Sequence, residues 1–166
     1  MSRRDAIKMT EGEALAFLEE ERTVTCATNG RDGLPHLMPL WYVLRDTQPT
    51  SSAGTGDHTR LWAWTYSKSQ KTKNLERDPR ATLQVEAGLD YAELRGVMLR
   101  CDVVLHRDLE VVEAIAMSLV DRYSGPGPEF DPAREAFRQQ APKRVGLEFV
   151  ERERVTWDHR KLGGAY

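Results

Sequence analysis

The sequence predicts a mainly β, α+β fold: a small antiparallel barrel with short helices on its rim. Two observations carry this. Segments of alternating apolar and polar residues follow one another through turns, and the helical segments do not alternate with them in a βαβ rhythm. The length, 166 residues, suits one domain spanning 1–166 with a substantial core.

Thr10 and Glu13 form a capping box, and Leu15 and Leu18 give the first helix an apolar side, so it is expected to run to about Glu21. Thr23 to Thr28 is rich in β-branched residues and reads as a strand. Asn29-Gly30 and Asp32-Gly33 bracket a hairpin turn. The next strand, Leu34 to Leu44, contains Pro35 and Pro39. Proline donates nothing to a ladder, so this strand is expected at an edge or bulged near Pro39.

Residues 45–59 are polar and turn-rich, a surface loop. After it Trp62, Trp64 and Tyr66 alternate with Leu61, Ala63 and Thr65. Ser67 and Gln70 have capping-box spacing and open a short helix that Asp78-Pro79 stops. Ala81 to Ala87 and Leu94 to His106 read as strands. The helix from Asp108 to Tyr123 has Leu109, Val112, Ile115, Ala116 and Leu119 as its buried stripe. Asp131-Pro132 caps and starts another helix, which Pro142 ends. Val145, Leu147 and Phe149 alternate in a late strand, followed by a charged strand or tail.

Hydrophobic residues are 40% and charged residues 30%, ordinary for a globular protein, and the net charge of −2 gives no reason to expect nucleic acid or an anionic membrane. No run approaches a membrane span, and the acidic N-terminus lacks an apolar signal core, so a cytoplasmic protein is expected. Cys26 and Cys101 read as reduced core residues. With His36, His58, His106 and His159 lacking ligand spacing, no metal site is expected.

The most informative stretch is Trp64 to Arg80. An aromatic strand enters a helix start that carries Ser67, Lys68, Ser69, Gln70, Lys71, Thr72 and Lys73. Free N–H groups and the positive dipole end make such a place receptive to an anion, a phosphate above all. Spacing alone fits a solvated basic helix face equally well. Trp62, Trp64 and Tyr66 likewise suit a core or an interface as well as a platform for a flat ring. His36 reads as a surface strand histidine, with general acid as the sharper alternative.

The stretch SQKTKNLERDPRATLQVEA, Ser69 to Ala87, with its K-x-x-N-L-x-x-D-P-R spacing, resembles the pyridoxamine 5′-phosphate oxidase-like family of flavin-binding split β-barrels. Within it the chain looks like the actinobacterial branch that uses the deazaflavin coenzyme F420. The order of elements agrees from Glu13 to about Trp157. The resemblance implies a six- or seven-stranded antiparallel split barrel and a homodimer with cofactor clefts between subunits. It implies that Lys71 binds the cofactor phosphate beside Ser69 and Gln70, and that Trp64 and Thr65 line the cofactor. It further implies that Met38, Pro39, Leu40 and Trp41 flank the ring largely through their backbone, and that Trp157 reaches a cofactor across the dimer.

There are departures. The end, WDHRKLGGAY, matches the family's arginine- and histidine-rich substrate motif only loosely. Gln70 stands where many FMN-binding members have arginine, and Gly96 where many have glutamine. The implied function is an F420H2-dependent reductase that passes hydride to a small electrophile. The alternatives are an FMN-dependent oxidoreductase of the same fold and a non-enzymatic protein that holds a cofactor or porphyrin. No side chain is assigned as catalytic acid or base, because hydride transfer needs mainly orientation and a dry pocket.

Overall fold

The computed structural model describes residues 3–46 and 59–163. Seven strands form one antiparallel sheet: β1 (Thr23–Asn29), β2 (Pro35–Trp41), β3 (Val43–Asp46), β4 (Thr59–Tyr66), β5 (Arg80–Ala87), β6 (Arg95–His106) and β7 (Arg144–Asp158). The helices are α1 (Arg3–Ala6), α2 (Glu11–Glu20), α3 (Gln70–Arg77), α4 (Leu109–Tyr123) and α5 (Asp131–Gln140). The strand order is β2-β1-β5-β6-β7-β4-β3, so the predicted antiparallel split barrel has seven strands. Among the described residues no helix is long and apolar enough to cross a membrane.

The predicted strand from Leu34 to Leu44 is in fact two. β2 pairs with β1 and β3 pairs with β4, so they occupy opposite edges of the sheet, joined through Tyr42 alone. The edge position expected from its prolines holds for β2. The bulge does not, because the register runs unbroken from Thr23↔Trp41 to Asn29↔Pro35. Tyr42 is fully buried at this crossing. Its hydroxyl donates towards the carbonyls of Leu18 (2.7 Å) and Glu21 (3.0 Å), and its N–H donates to the Tyr123 hydroxyl (2.9 Å). The crossing is thereby pinned to the ends of α2 and α4.

Period-two alternation sorts the core into two layers. Val24 and Cys26, Leu83 and Val85, Val97 and Leu99, Leu61 and Ala63, and Val145, Leu147 and Phe149 fill the barrel with Phe17 and Leu18 of α2. On the other side of β3 and β4, Val43, Trp62 and Trp64 meet Val112, Ile115, Ala116 and Leu119 of α4. The predicted stripe of α4 needs one correction. Leu109, at its first turn, is 47% exposed, and Val120 is buried in its stead. The charged segment after Phe149 continues β7 as a strand to Asp158. In α5, Asp131 is the first helical residue and makes no side-chain cap. Of the predicted loop 45–59, residues 47–58 lie outside the described residues, while β3 and β4 take up its two ends.

Candidate functional site

β4 delivers the chain to the start of α3 through one turn. The N-cap is Ser69, not Ser67 as the spacing suggested: its Oγ accepts from the Thr72 N–H at 3.2 Å, whereas the Ser67 N–H donates to the Lys143 carbonyl at 3.0 Å. Ser69 Oγ also lies 3.1 Å from Thr72 Oγ1 and 3.4 Å from Thr65 Oγ1, and Thr72 Oγ1 donates to the Tyr66 carbonyl. A helix start thus carries a small hydroxyl cluster.

Geometry separates the three lysines that spacing grouped together. Lys68 and Lys73 are exposed, as a solvated helix face would be. Lys71 is 4% exposed and turns towards Cys26 of β1. Its ammonium makes no hydrogen bond or ion pair with any described residue. Burial holds its pKa below the ordinary lysine value. Keeping a cation on a largely buried side chain without a counter-charge has a cost, which a bound anion offsets.

The surroundings of Lys71 follow from register. On the face of β1 that carries Cys26 and Thr28, the partners across the ladder are Met38 and His36 of β2. α3 lies over the same face. Gln70 Nε2 donates to Asn74 Oδ1 at 2.9 Å, and the fully buried Asn74 donates to Thr28 Oγ1 at 3.1 Å. A groove results, with α3 as one wall, β1 as floor and the edge strand β2 as the other wall. Towards the β1–β2 turn it opens into a cavity of about 420 Å³ lined by Gly30, Arg31, Leu34, His36, Gln70 and Asn74, among others. His36 is half-buried there, and its Nδ1 is shielded from water with no hydrogen-bond partner.

Alternation divides the β2 residues singled out by resemblance. Met38 and Leu40 share the side of His36 and Cys26, while Pro39 and Trp41 share the outer side of the sheet. Met38 is 45% and Trp41 52% exposed, and Trp41 stacks on Tyr123 with ring centroids 4.4 Å apart. Thr65 joins the Ser69 cluster. Its neighbour Trp64 points the other way and is buried, with Phe137 stacked on it at 5.1 Å and the Arg144 guanidinium 4.6 Å from its ring centre. A cofactor ring stacking on Trp64 has to displace one of these two. Trp157 sits on β7, separated from β2 by three strands, and packs against Gly96. Within one chain it does not meet Lys71. The motif read from the sequence contains Asn74, but that reading gave neither it nor its partner Thr28 a role. It also missed Arg144, which lies between Trp64 and Tyr66.

The structure is similar to that of a conserved hypothetical protein from Mycobacterium tuberculosis, Rv2991. The two share 36% identity with a TM-score of 0.82, over 100% of this chain and 95% of that one. It shares its fold with an F420 reductase (23% identity, TM-score 0.61, 88% of this chain and 98% of that one). It shares it also with HutZ, a haem storage protein from Vibrio cholerae (14% identity, TM-score 0.61, 86% and 90%). Among curated proteins, none is matched by the sequence. The model of the pyridoxamine 5′-phosphate oxidase family matches residues 10–156, nearly the whole seven-stranded sheet and α2 to α5. The chain therefore belongs to the pyridoxamine 5′-phosphate oxidase family.

Proposed function

We propose that the protein is an F420H2-dependent oxidoreductase of the actinobacterial branch, holding the deazaflavin phosphate at the start of α3. The observation that carries this is Lys71, a buried lysine that pairs with no described carboxylate, two residues after Ser69, whose Oγ caps the helix start. That combination fits a phosphate: a point charge from the lysine, directed hydrogen bonds from the hydroxyl and the free helix N–H groups. When bound, reduced F420 supplies the hydride that a small electrophilic substrate accepts. Lys71, Ser69 and Gln70 bind and orient, and Met38 and Leu40 provide an apolar wall that keeps water from the reacting face. The backbone of Pro39 and Trp41, on an edge strand, presents groups for the rim of the ring.

The same reading includes a homodimer. Leu37, Met38 and Trp41 of the edge strand β2, and Leu34 just before it, are 45–67% exposed, on both sides of the strand. A second copy covering this strand encloses the ring and brings its own Trp157 to the cleft. The F420 reductase of the same fold supports the cofactor class. FMN is the alternative cofactor, and haem storage by a protein of this fold supports a non-enzymatic binding role as the second reading.

Fluorescence titration of the purified protein with oxidised F420 and, in parallel, FMN tests the proposal. Saturable F420 binding with weak or no FMN binding is expected. Tight FMN binding moves the protein to the flavin oxidoreductases, and binding of neither removes the site at Lys71.

A further inference from the structure

Polar groups, more than apolar ones, hold α3 to the barrel. Its buried residues are Lys71, Thr72, Asn74 and Leu75, so one leucine is its whole apolar contribution. A helix of eight residues with an asparagine in its body has little stability of its own. Hydrogen bonds therefore decide how it lies. The Ser69 cap and the Thr72 hydroxyl bond within the turn from Tyr66 to Thr72, which fixes where the helix starts but not which side faces β1. At the far end Arg77 donates to the Asn29 carbonyl, and Asn29 Nδ2 donates to Asp78 Oδ2 at 2.7 Å, both at the surface. Among the described residues, the buried hydrogen bond from the helix body to the sheet runs from Asn74 Nδ2 to Thr28 Oγ1. It joins residues 46 positions apart, each at most 1% exposed. Gln70 Nε2 occupies Asn74 Oδ1 and so turns the donor side of that amide to Thr28.

Asn74 follows Lys71 by three positions and shares its face of the helix. The lysine pulls the other way. It is 4% exposed and pairs with no described carboxylate, so its ammonium favours water, and a roll of α3 delivers it there. We propose that Asn74 and Thr28 are positioning residues that keep Lys71 on the barrel side of α3, where it meets the cofactor phosphate. This rests on the phosphate lying at Lys71. Both residues act through the set of the helix, and neither has to touch the ligand.

The test is the dissociation constant of F420 across a pH series for wild type, Thr28→Val, Thr28→Ser, Lys71→Ala and the double variant Thr28→Val with Lys71→Ala. Thermal unfolding confirms that each is folded. Valine keeps the shape of Thr28 and removes the acceptor; serine keeps the acceptor. Thr28→Val is expected to weaken F420 about 5-fold, and Thr28→Ser to stay within about twofold of wild type. In the Lys71→Ala background Thr28→Val is expected to cost nothing further. The pH series gives a readout that a merely structural role leaves alone. Burial lowers the Lys71 pKa, and a lysine released towards water recovers its ordinary value, so the alkaline loss of affinity moves to higher pH in Thr28→Val. Cys26, whose thiol burial pushes up to about 11, and His36 lie on the same side, and no variant alters either. Equal losses in Thr28→Val and Thr28→Ser, an unmoved alkaline limb, or the same loss without Lys71 overturns the positioning role. If Lys71→Ala weakens F420 while Thr28→Val does not, the phosphate site stands and only the positioning falls. If Lys71→Ala changes nothing, or wild type binds neither F420 nor FMN, both fall. A protein that takes FMN in place of F420 gives the same ratios with FMN, because the phosphate is common to both.

Discussion

The indole of Trp157 occupies the space that a side chain at Gly96 would need. The two residues face each other across the β6–β7 ladder, and a Cβ placed on Gly96 stands 2.7 Å from indole atoms Cε2 and Cη2 and closer still to Cζ2. The glycine is therefore the seat of the tryptophan. Gly96→Ala is expected to cost about 1–3 kcal/mol, because the ring has to leave its position. In the Trp157→Ala background the same change loses that cost, a coupling of about 1–2 kcal/mol. Urea unfolding of the four proteins reads it, and additive values would show that the indole has another place to go at no cost.

Tyr42 holds the crossing from one sheet edge to the other. Its hydroxyl reaches the Leu18 and Glu21 carbonyls, which also accept from Arg122 Nη2 at 2.7 and 3.0 Å. Because the carbonyls keep a partner, Tyr42→Phe is expected at the low end for a buried hydrogen bond, about 1 kcal/mol. Tyr123→Phe, which orphans the Tyr42 N–H, is expected to cost more. The reverse order in chemical denaturation would mean that the crossing is held through α2 alone.

These two contacts mark what the sequence can and cannot tell. The strand alternation in Leu61 to Tyr66 and Val145 to Phe149 was legible because one face of each strand must be apolar, and the structure puts those faces in the two cores. The crossing at Tyr42 was not, since a chain that leaves one edge and joins the other keeps the same alternation and composition. Likewise the motif around Lys71 located the helix start, but spacing could not say which lysine turns inwards. That depends on α3 lying over Cys26 and Thr28, a contact between residues more than forty positions apart. Trp64 shows the opposite limit. Its strand position was right, and its ring is nonetheless taken up by Phe137 and Arg144, which no local pattern announces.

Asp158 gives a pH dependence with a definite sign. Its carboxylate is nearly buried and accepts from Arg160 Nε and Nη2 at 2.9 and 2.7 Å and from the Arg160 N–H, which holds its pKa below the usual carboxylate value. A depressed folded-state pKa means stability that is present above the unfolded value of about 3.9 and is lost as pH falls through the folded value. Asp158→Asn is expected to be less stable than wild type at pH 7 and to lose less on acidification below about pH 4. Parallel stability profiles for the two proteins would remove Asp158 from the acid response.

Lys71 makes the last prediction in the opposite direction. Burial lowers its pKa in the free protein, so the ammonium is already giving up its proton below the ordinary lysine range. A phosphate beside it raises that pKa again. Binding therefore takes up a proton in the interval between the two values, and affinity falls as pH rises through it. Below both values affinity is flat. Lys71→Ala is expected to weaken a phosphate-bearing cofactor by about 1.5–3 kcal/mol at neutral pH. It is also expected to abolish this alkaline loss, since no titrating cation remains. Calorimetric titration in buffers of different ionisation enthalpy measures both the affinity and the proton taken up. An alkaline loss that survives in Lys71→Ala would assign it to another group and place the phosphate away from α3.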